Sequence, residues 1–495
     1  MTHKLSFLFL IVCICLSTRA QEAQPIKQLL RKPCMEGASF SLIIKDTQTG
    51  ETVCAYDTLR QLTPASVLKT VTTATALEVI GKDYRFPTTL EYDGTISNGT
   101  LKGNLYIKGS GDPTLGSEHF AADRNTYTPD QNTFVPQWIA ALKEMGIRKI
   151  EGAVIGDESL FDTEGGSLKW VGEDMGSYYG AGSYGLNVFD NLYRLSLKTG
   201  AADSRPLVKE SQPQLSLIRF HNYLTAKQVS TDSSFITGAP FSTDRYLYGV
   251  VPANRENYIL KGDIPDPVLF LAEYLTRQLE KSGIQVNDSP SCFRILDEAG
   301  KWQPGDRKEI ITTYSPTLGE IVDVTNHISH NLFADALLKT LGTRYQARNG
   351  EILSSFNRGI AVLRNYWEKR GLDLSSVWMY DGSGLAVTDK LSTAFMGQLL
   401  TYMANHAKNK DVFIESLPQA GIDGSVRNFL KGSSLQGKTR LKSGSMSRVK
   451  GYAGYIDKNG KRYAVALFVN NYSCDGREMN REIEKLLIQL TVNKW

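Results

Sequence analysis

The sequence changes its pattern twice along its length. Between about residues 87 and 264 it consists of short β-like runs separated by frequent turns, and Leu101 to Ile107 is one example. Before this stretch, residues 38–45 and 51–56 are apolar-rich and predict a β-hairpin. A helical pattern then opens at Pro64, with apolar residues at helical spacing. A chain with this order has to accommodate a β-rich module between helical parts.

After the β-rich stretch the helical pattern returns. Asp266 as N-cap and Pro267 at the first position predict a helix that runs to Lys281. Further predicted elements are helices over 329–341 and 354–369, a strand pair over 451–456 and 463–469, and a last helix over 477–490. We therefore expect one α/β (α+β) domain, formed by residues 21–86 and 265–495. A β-rich insert of one or two small domains over residues 87–264 interrupts it.

Size and charge exclude several classes of protein. A chain of 495 residues is long enough for two or three domains. Lys and Arg number 56 against 52 Asp and Glu, a net charge of +4 that gives no support for nucleic-acid binding. With 41% hydrophobic and 22% charged residues, the composition is that of a globular protein and not of a disordered or polytopic membrane protein.

The first twenty residues predict a signal peptide. His3 and Lys4 precede an apolar run from Leu5 to Leu16, and small residues lead to a cleavage site near Ala20. The alternative is a membrane anchor, but the run is shorter than the roughly 20 residues that a span needs. No later segment is apolar enough, so we expect no transmembrane segment in the mature chain. The predicted location is periplasmic, either soluble or loosely associated with the cell wall or membrane.

The cysteines and histidines give little information on their own. Removal of the signal leaves Cys34, Cys54, Cys292 and Cys474, which would form two disulfides or remain as buried thiols. No C-x-x-C or H-E-x-x-H motif is present, so we predict no metal site. His330 is expected to be exposed or to lie on the wall of a cleft.

A motif typical of nucleophilic catalysis lies at the start of the first helix. In Ser66-Val67-Leu68-Lys69 the hydroxyl and the ammonium are one turn apart and project from the same face. A serine hydroxyl needs a nearby base, and a lysine whose pKa is lowered by burial can serve as one. Most S-x-x-K sequences, however, are a helix cap beside a solvated lysine.

Two later motifs strengthen the catalytic interpretation. Ser329-His330-Asn331 is an S-x-N at the head of a predicted helix, and Lys442-Ser443-Gly444 is a K-[ST]-G that enters a predicted strand. Taken singly, Ser329 would be a helix cap and Lys442 a solvated strand end. S-x-x-K, S-x-N and K-[ST]-G in this order are the signature of penicillin-binding proteins and serine β-lactamases.

The chain resembles the D-alanyl-D-alanine carboxypeptidase/endopeptidase family, the class C low-molecular-mass penicillin-binding proteins. The resemblance covers nearly the whole mature chain and includes the wide gap between the first two motifs. It rests also on Gly109–Leu115, Asp157 with Phe161, Leu186-Asn187, Asp381–Leu385 and Leu417–Ser425. Ala386-Val387 follow where the family often has Ser-Arg. The resemblance implies a β-lactamase/D,D-peptidase-like domain, an antiparallel sheet flanked by helices, with an insert.

The same resemblance implies roles for the motif residues. Ser66 would be the nucleophile and Lys69 its base. Ser329 would pass a proton to the leaving amine beside Lys442, while Asn331 would hold the substrate amide or Lys69. The implied substrate-binding residues are Ser443, Gly444 and Ser445. Lys442 and Ser443 would bind the terminal carboxylate, and the backbone N–H groups of Ser66 and Ser445 would form the oxyanion hole.

The implied activity is removal of the terminal D-Ala from peptidoglycan stem peptides. Cleavage of D,D-cross-links uses the same chemistry, and the balance between the two reactions depends on the shape of the cleft. No cofactor is implied, and β-lactams would acylate Ser66. The alternatives are a serine β-lactamase and a non-catalytic cell-wall binding protein.

One further motif suggests a nucleotide site. Residues 432–439 fit the P-loop pattern G-x-x-x-x-G-K-[ST]. A P-loop precedes a helix whose N-terminus binds phosphate, whereas strand-like runs follow Thr439 here. We therefore predict no nucleotide binding.

Overall fold

The structure is a computed structural model that describes residues 23–122, 127–129, 132–303, 305–347 and 351–492. The predicted signal peptide, residues 1–20, lies outside the described residues. Within the described ranges, no helix combines the length and the apolar character needed to cross a bilayer.

The helices and strands follow one another in three stretches. The first contains α1 (Gln24–Leu30), β1 (Ser39–Asp46), β2 (Thr52–Tyr56) and α2 (Leu68–Val79). The second contains β3 (Pro87–Tyr92), β4 (Thr95–Ser97), β5 (Thr100–Lys102), β6 (Leu105–Lys108), α3 (Phe134–Glu144), β7 (Lys149–Ile150), β8 (Val154–Asp157), β9 (Leu192–Thr199), β10 (Leu207–Gln212), β11 (Arg219–Asn222), β12 (Thr225–Lys227), β13 (Phe235–Thr237), β14 (Asp244–Tyr248), β15 (Val250–Pro252) and β16 (Arg255–Asp263). The third contains α4 (Pro267–Lys281), β17 (Gln285–Val286), β18 (Ser291–Cys292), α5 (Phe293–Glu298), β19 (Lys308–Tyr314), α6 (Leu318–Ile328), α7 (Asn331–Gly342), α8 (Ser355–Glu368), α9 (Thr393–Asn405), α10 (Lys410–Ser416), β20 (Thr439–Met446), β21 (Val449–Lys458), β22 (Lys461–Asn470) and α11 (Gly476–Val492).

The two ends of the chain form a single antiparallel sheet. Its strand order is β2-β1-β22-β21-β20, so the predicted N-terminal hairpin and the predicted C-terminal strand pair are both confirmed. They meet along β1 and β22, which pair in register from Ser39 with Asn470 to Asp46 with Tyr463. A sheet closed by the two ends of the chain leaves the middle of the chain free to form a separate unit.

Helices cover both faces of this sheet because its strands alternate. Ala464, Ala466 and Phe468 of β22 pack on the side of α2, α6, α7, α8 and α9. Val465 and Leu467, at the intervening positions, pack on the side of α1 and α11. The period of two in a strand sends successive side chains to opposite faces. The antiparallel sheet flanked by helices is therefore confirmed.

The β-rich stretch builds sheets and a core of its own. The sheets have the strand orders β18-β8-β6-β3-β19, β17-β7-β5-β4, β10-β9-β16, β11-β14-β13 and β12-β15. Their apolar side chains form one cluster with α3 and α4, which contains the fully buried Trp138 and Leu271. The prediction of β-like runs alone over residues 87–264 missed α3, which packs one face onto that core.

The predicted start of the insert coincides with the start of a strand. The residues after its predicted end still pack and pair with the insert. β3 begins at Pro87, as predicted for the start of the insert. At the other end, α4 has the predicted bounds but packs into the core of the β-rich stretch, and β19 pairs with β3. We propose that the inserted unit extends to about Tyr314, because residues up to that point complete its sheet.

The core on the helical side generates a prediction about stability. Trp367 is fully buried and its Nε1 donates a hydrogen bond to Thr75 Oγ1 at 2.8 Å. Trp367→Ala should cost about 3–5 kcal/mol, because it leaves a cavity and removes the hydrogen bond to Thr75. The measurement is urea unfolding of the purified variant. Trp378, which is 54% exposed, is the matched control, and Trp378→Ala should change stability by no more than about 0.5 kcal/mol. Equal losses in the two variants would contradict this assignment of the core.

Candidate active site

Ser66 lies where the chain turns into the first long helix. A short 3-10 turn, Ala65–Val67, precedes α2, and Ala65 adopts a left-handed φ of 46°. Ser66 is partly exposed while its neighbours are buried. The turn therefore presents the hydroxyl at the surface of a cleft and places free N–H groups of the helix start beside it.

The ammonium group of Lys69 is enclosed beside this hydroxyl. Lys69 is fully buried, and its Nζ donates to Ser66 Oγ at 3.0 Å, to Asn331 Oδ1 at 2.6 Å and to the carbonyl of Ser383 at 2.7 Å. An ammonium has three donor hydrogens, so all of them are used. The structure thus brings Ser66, Lys69 and Asn331 together as the motifs predicted. Because Asn331 Nδ2 donates to the carbonyl of Tyr179 at 2.8 Å, both ends of this amide are already engaged.

A second serine–lysine pair faces the first. Ser329 ends α6 in a left-handed conformation (φ 64°), so that α7 can start two residues later at Asn331. Lys442 on β20 is fully buried and donates to Ser329 Oγ at 3.0 Å and to the carbonyl of Ser443 at 2.7 Å. The predicted helix and strand positions of these two motifs are confirmed.

β20 passes very close to the start of α2. A Cβ at Gly444 would lie 2.4 Å from the carbonyl oxygen of Pro64 and 3.0 Å from the backbone nitrogen of Ser66. Ser443 Oγ lies 2.8 Å from Ser425 Oγ, and Ser445 Oγ accepts from Lys450 Nζ at 2.8 Å. Of the three predicted substrate-binding residues, Ser445 lines the cleft, Gly444 lies against the start of α2, and Ser443 contacts Ser425.

These groups open into one cleft of about 570 Å³. Ser66, Ser329, Asn331 and Ser445 line it, and so do Gly384, Leu385 and Val387. The inserted unit supplies a further wall, which consists of Val171, Glu173, Asp174, Tyr178 and Tyr179. The insert thus takes part in the shape of the cleft.

This geometry is that of an acyl-transfer site, and the comparisons with known proteins identify its family. The model of the D-Ala-D-Ala carboxypeptidase 3 (S13) family matches residues 22–494. The chain belongs to this family. It is therefore a serine peptidase of the D-Ala-D-Ala carboxypeptidase type, and the predicted resemblance is confirmed.

Two curated relatives resemble the chain over most of its length. The D-alanyl-D-alanine carboxypeptidase of Actinomadura sp. (strain R39) is 25% identical over 461 residues, 91% of this chain and 81% of the relative. The D-alanyl-D-alanine carboxypeptidase DacB of Haemophilus influenzae is 25% identical over 447 residues, 88% of this chain and 86% of the relative.

Solved structures show the same fold. The crystal structure of penicillin binding protein 4 (dacB) from Haemophilus influenzae matches with a TM-score of 0.77 at 22% identity, covering 95% of this chain and 99% of that chain. A second structure of that protein, in complex with a novel β-lactam, matches with a TM-score of 0.74 at 21% identity over the same shares.

The loop Asp381–Leu385 lies behind Lys69. In the sequence it contributed to the family resemblance, but no role was predicted for it. The buried carboxylate of Asp381 accepts backbone N–H groups from Ser383, Gly384 and Ala386. It also accepts from Trp170 Nε1 of the inserted unit at 2.8 Å. The loop is thereby fixed in the shape that aims the carbonyl of Ser383 at the ammonium of Lys69. The sequence signal for this loop is the run of small residues Gly382-Ser383-Gly384 directly after the acidic Asp381.

The S13 site surrounds Lys69 with buried carboxyl groups that were also missed. Burial lowers the pKa of Lys69 to about 8, and the nearby Asp335, Asp381 and Asp389 oppose that shift. Burial and Asp381 raise the pKa of Asp335, and the same two causes raise that of Asp389. Asp335 lies four residues after Asn331, one helical turn along α7, which is the spacing that could have revealed it.

The prediction for His330 was wrong. Its side chain is only 13% exposed, stacks on Phe333 at 3.9 Å between ring centroids, and accepts from the Phe333 N–H through Nδ1 at 3.4 Å. Burial lowers its pKa well below the usual value. His330 therefore caps α7 as a neutral ring, and helix capping is the role it performs in the S-x-N motif.

Potential metal ligands do cluster among the described residues, although no metal motif is present in the sequence. Ligand atoms of His119, Asp190 and His330 lie within 4.8 Å of one another, and so do those of Cys34, Cys474 and Glu478. Because Nδ1 of His330 accepts a hydrogen bond, the neutral ring carries its proton on Nε2 and offers no free lone pair to a cation.

The close approach at Gly444 generates a prediction. Gly444→Ala would push β20 away from the start of α2, because the added Cβ meets only backbone atoms. Displacement of reacting groups by about 1 Å should lower turnover by roughly 10- to 100-fold. The measurement is the rate of D-Ala release from a peptide ending in D-Ala–D-Ala. Gly305→Ala, which places a Cβ in open space, should release D-Ala at the wild-type rate. A Gly444→Ala enzyme with wild-type turnover would contradict the described geometry.

Proposed function

We propose that this chain is an exported serine D,D-peptidase that removes the terminal D-Ala from peptidoglycan stem peptides through an acyl-enzyme on Ser66. The observation that carries the proposal is the buried contact of 3.0 Å between Lys69 Nζ and Ser66 Oγ. A hydroxyl becomes a nucleophile when a base lies within hydrogen-bonding distance. Family membership and the order of the three motifs support the same assignment.

Acylation starts with proton transfer from Ser66 to a neutral Lys69. The Ser66 oxygen attacks the carbonyl carbon of the penultimate D-Ala, and the amide C–N bond breaks when the tetrahedral intermediate collapses. The partial burial of Ser66 and the full burial of Lys69 support this step, because burial favours the uncharged amine. Asn331 and the carbonyl of Ser383 hold Lys69 in line with the hydroxyl.

The leaving amine needs a proton, and Ser329 supplies it. Its hydroxyl accepts a hydrogen bond from Lys442 at 3.0 Å, and Ser329 lines the cleft. Burial lowers the pKa of Lys442 well below its usual value, and the charge of Lys69 lowers it further. An ammonium with a lowered pKa is a better proton source for Ser329 than a solvated lysine would be.

The strand β20 binds the ends of the substrate. Ser443, partly exposed beside the buried Lys442, is suited to the terminal carboxylate. The backbone N–H groups of Ser66 and Ser445 form the oxyanion hole, and loss of one such donor costs about 3 kcal/mol of barrier. Gly444 supports this role because its lack of a side chain lets the two segments approach. Water then hydrolyses the ester and releases the shortened peptide.

Two other functions use parts of the same site. A serine β-lactamase would hydrolyse the β-lactam acyl-enzyme quickly, and a non-catalytic cell-wall binding protein would never be acylated. The large insert that lines the cleft argues against the first, and the complete set of hydrogen bonds around Lys69 argues against the second. The β-lactam held by the related Haemophilus protein supports binding of this drug class.

Acylation by penicillin separates the three functions. The wild type should carry one long-lived penicillin adduct in intact-mass analysis, because deacylation of a D,D-peptidase is slow. Ser66→Ala should show no adduct, while Ser445→Ala, which keeps the nucleophile, should still form one. Destruction of the drug without an adduct would favour the β-lactamase. Absence of both adduct and drug loss would favour the binding protein.

The pH dependence follows from Lys69. A protonated Lys69 cannot accept the proton of Ser66, and its pKa is lowered to about 8. The acylation rate should therefore rise about tenfold per pH unit below pH 8 and level off above it. The measurement is kcat/KM for a D-Ala–D-Ala peptide between pH 5 and about 10. A profile that is flat through pH 8, or that falls there, would count against Lys69 as the base.

A further inference from the structure

A second groove lies beside the catalytic cleft, next to Ser443. It has a volume of about 740 Å³ and lies between the loop 424–429 and the first turns of α11. Ser425 lines it and contacts Ser443 Oγ at 2.8 Å, and His327 and Ile328, which immediately precede Ser329, form its rim. The groove therefore borders the proposed carboxylate site, and no residue of its described lining belongs to the inserted unit.

The groove is basic, and we call it the arginine groove after Arg427, Arg477 and Arg481. All three arginines are exposed. Within the described part of the chain, none of their side chains forms an ion pair or a hydrogen bond. The one acidic residue in the lining, Glu484, is already engaged, because its Oε1 accepts the Leu430 N–H at 2.6 Å. The guanidinium groups are thus available to an anionic ligand.

The spacing of two of the arginines is unfavourable for the helix by itself. Arg477 and Arg481 are four residues apart on α11, so their like charges repel across one turn, which costs a few tenths of a kcal/mol. Asp475 lies near both, but its carboxylate caps the helix by accepting from the Arg477 and Glu478 N–H groups. An anionic ligand in the groove would reduce the repulsion between the two guanidinium groups.

The base of the groove is rigid. Phe429 stacks on Tyr452 with 4.2 Å between ring centroids, and the Tyr452 hydroxyl donates to Asn480 Oδ1 at 2.9 Å. Both aromatic side chains are buried, and Tyr452 belongs to β21, the neighbour of the strand that carries Lys442. The loop that carries Arg427 and the helix that carries Arg477 and Arg481 are therefore both anchored to the strand next to the one that carries Lys442.

The chemistry of the leaving group indicates what occupies the groove. When a terminal D-Ala is removed, the leaving group is a single amino acid and ends at Lys442 and Ser443. When a D,D-cross-link is cleaved, the leaving amine belongs to a second stem peptide, which must continue beyond Ser443. That peptide carries carboxylates, and guanidinium groups bind carboxylates with two parallel hydrogen bonds.

We infer that the arginine groove binds the carboxylates of the second stem peptide when a D,D-cross-link is cleaved. The inference rests on the proposed function, because the same acyl-enzyme on Ser66 forms in both reactions. The two reactions differ only in the amine that leaves. In cross-link cleavage the proton goes to the amine of a peptide, and in removal of the terminal residue it goes to D-alanine.

The experiment measures kcat/KM on two substrates for the wild type and for two double variants. The substrates are a monomeric peptide ending in D-Ala–D-Ala and a D,D-cross-linked muropeptide dimer that has no terminal D-Ala–D-Ala. Arg477→Gln/Arg481→Gln removes two charges from the groove. Arg205→Gln/Arg255→Gln removes two charges from exposed positions of the inserted unit and is the matched control.

The groove variant should lose about 5- to 20-fold in kcat/KM on the dimer and less than about twofold on the monomer. The control should keep wild-type rates on both. Because exposed charges are screened at high ionic strength, the wild-type rate on the dimer should fall towards that of the groove variant as salt is raised from about 0.05 to 0.5 M.

The other outcomes are distinct from one another. If the wild type cleaves the monomer but not the dimer, or if the groove variant keeps its rate on the dimer, the arginine groove is not the site of the second peptide. An equal loss on both substrates would likewise overturn the inference. If the wild type cleaves neither substrate, the proposed function itself fails and the inference fails with it.

Discussion

The enclosed ammonium of Lys69 is the group around which the rest of the site is arranged. Burial of a charged amine costs several kcal/mol unless hydrogen bonds and nearby charges offset it. Three acceptors and a set of buried carboxyl groups supply that offset, and they come from α2, α7 and the loop 381–385. Because the compensation is partial, the pKa is lowered only to about 8. The amine is thus held in the core with a lowered pKa, which suits the base of the proposed mechanism.

The acceptors come from distant parts of the chain, and the fold explains how they meet. β1 and β22 join the two ends of the chain in one sheet, and the start of α2 lies against Gly444 of β20. The inserted unit is held to the same place, because Trp170 bonds to Asp381 and the carbonyl of Tyr179 bonds to Asn331. An insert anchored at these two points has a fixed position relative to the cleft. We therefore regard it as part of the proposed active site.

Much of the fold and of the candidate site could be predicted from the sequence, and the exceptions have physical reasons. The hairpin, the strand pair, α4, α8 and α11 follow from local periodicity and caps, and the three motifs are short contiguous patterns. Asp389 was not found, because a buried carboxyl group looks the same in a sequence as an exposed one, whereas Asp335 has the helical spacing from Asn331 as a signal. His330 was misjudged because its burial depends on stacking against Phe333, which local spacing does not reveal. The proposed extension of the insert to about Tyr314 could not be predicted, because the pairing of β19 with β3 joins residues far apart in the chain.

The charges along the cleft suggest how a substrate is oriented. Glu173 and Asp174 of the inserted unit line the cleft, and no basic residue is part of its described lining. The arginine groove lies beside the cleft, next to Ser443. A peptide with an amine on one side of the scissile bond and carboxylates on the other would be drawn into the cleft in a single direction. Reversal of such a peptide would bring its carboxylates towards Glu173 and Asp174 and its amine towards the arginines. In the proposed mechanism these charges orient the substrate, and Lys69 and Lys442 keep the same roles for either leaving group.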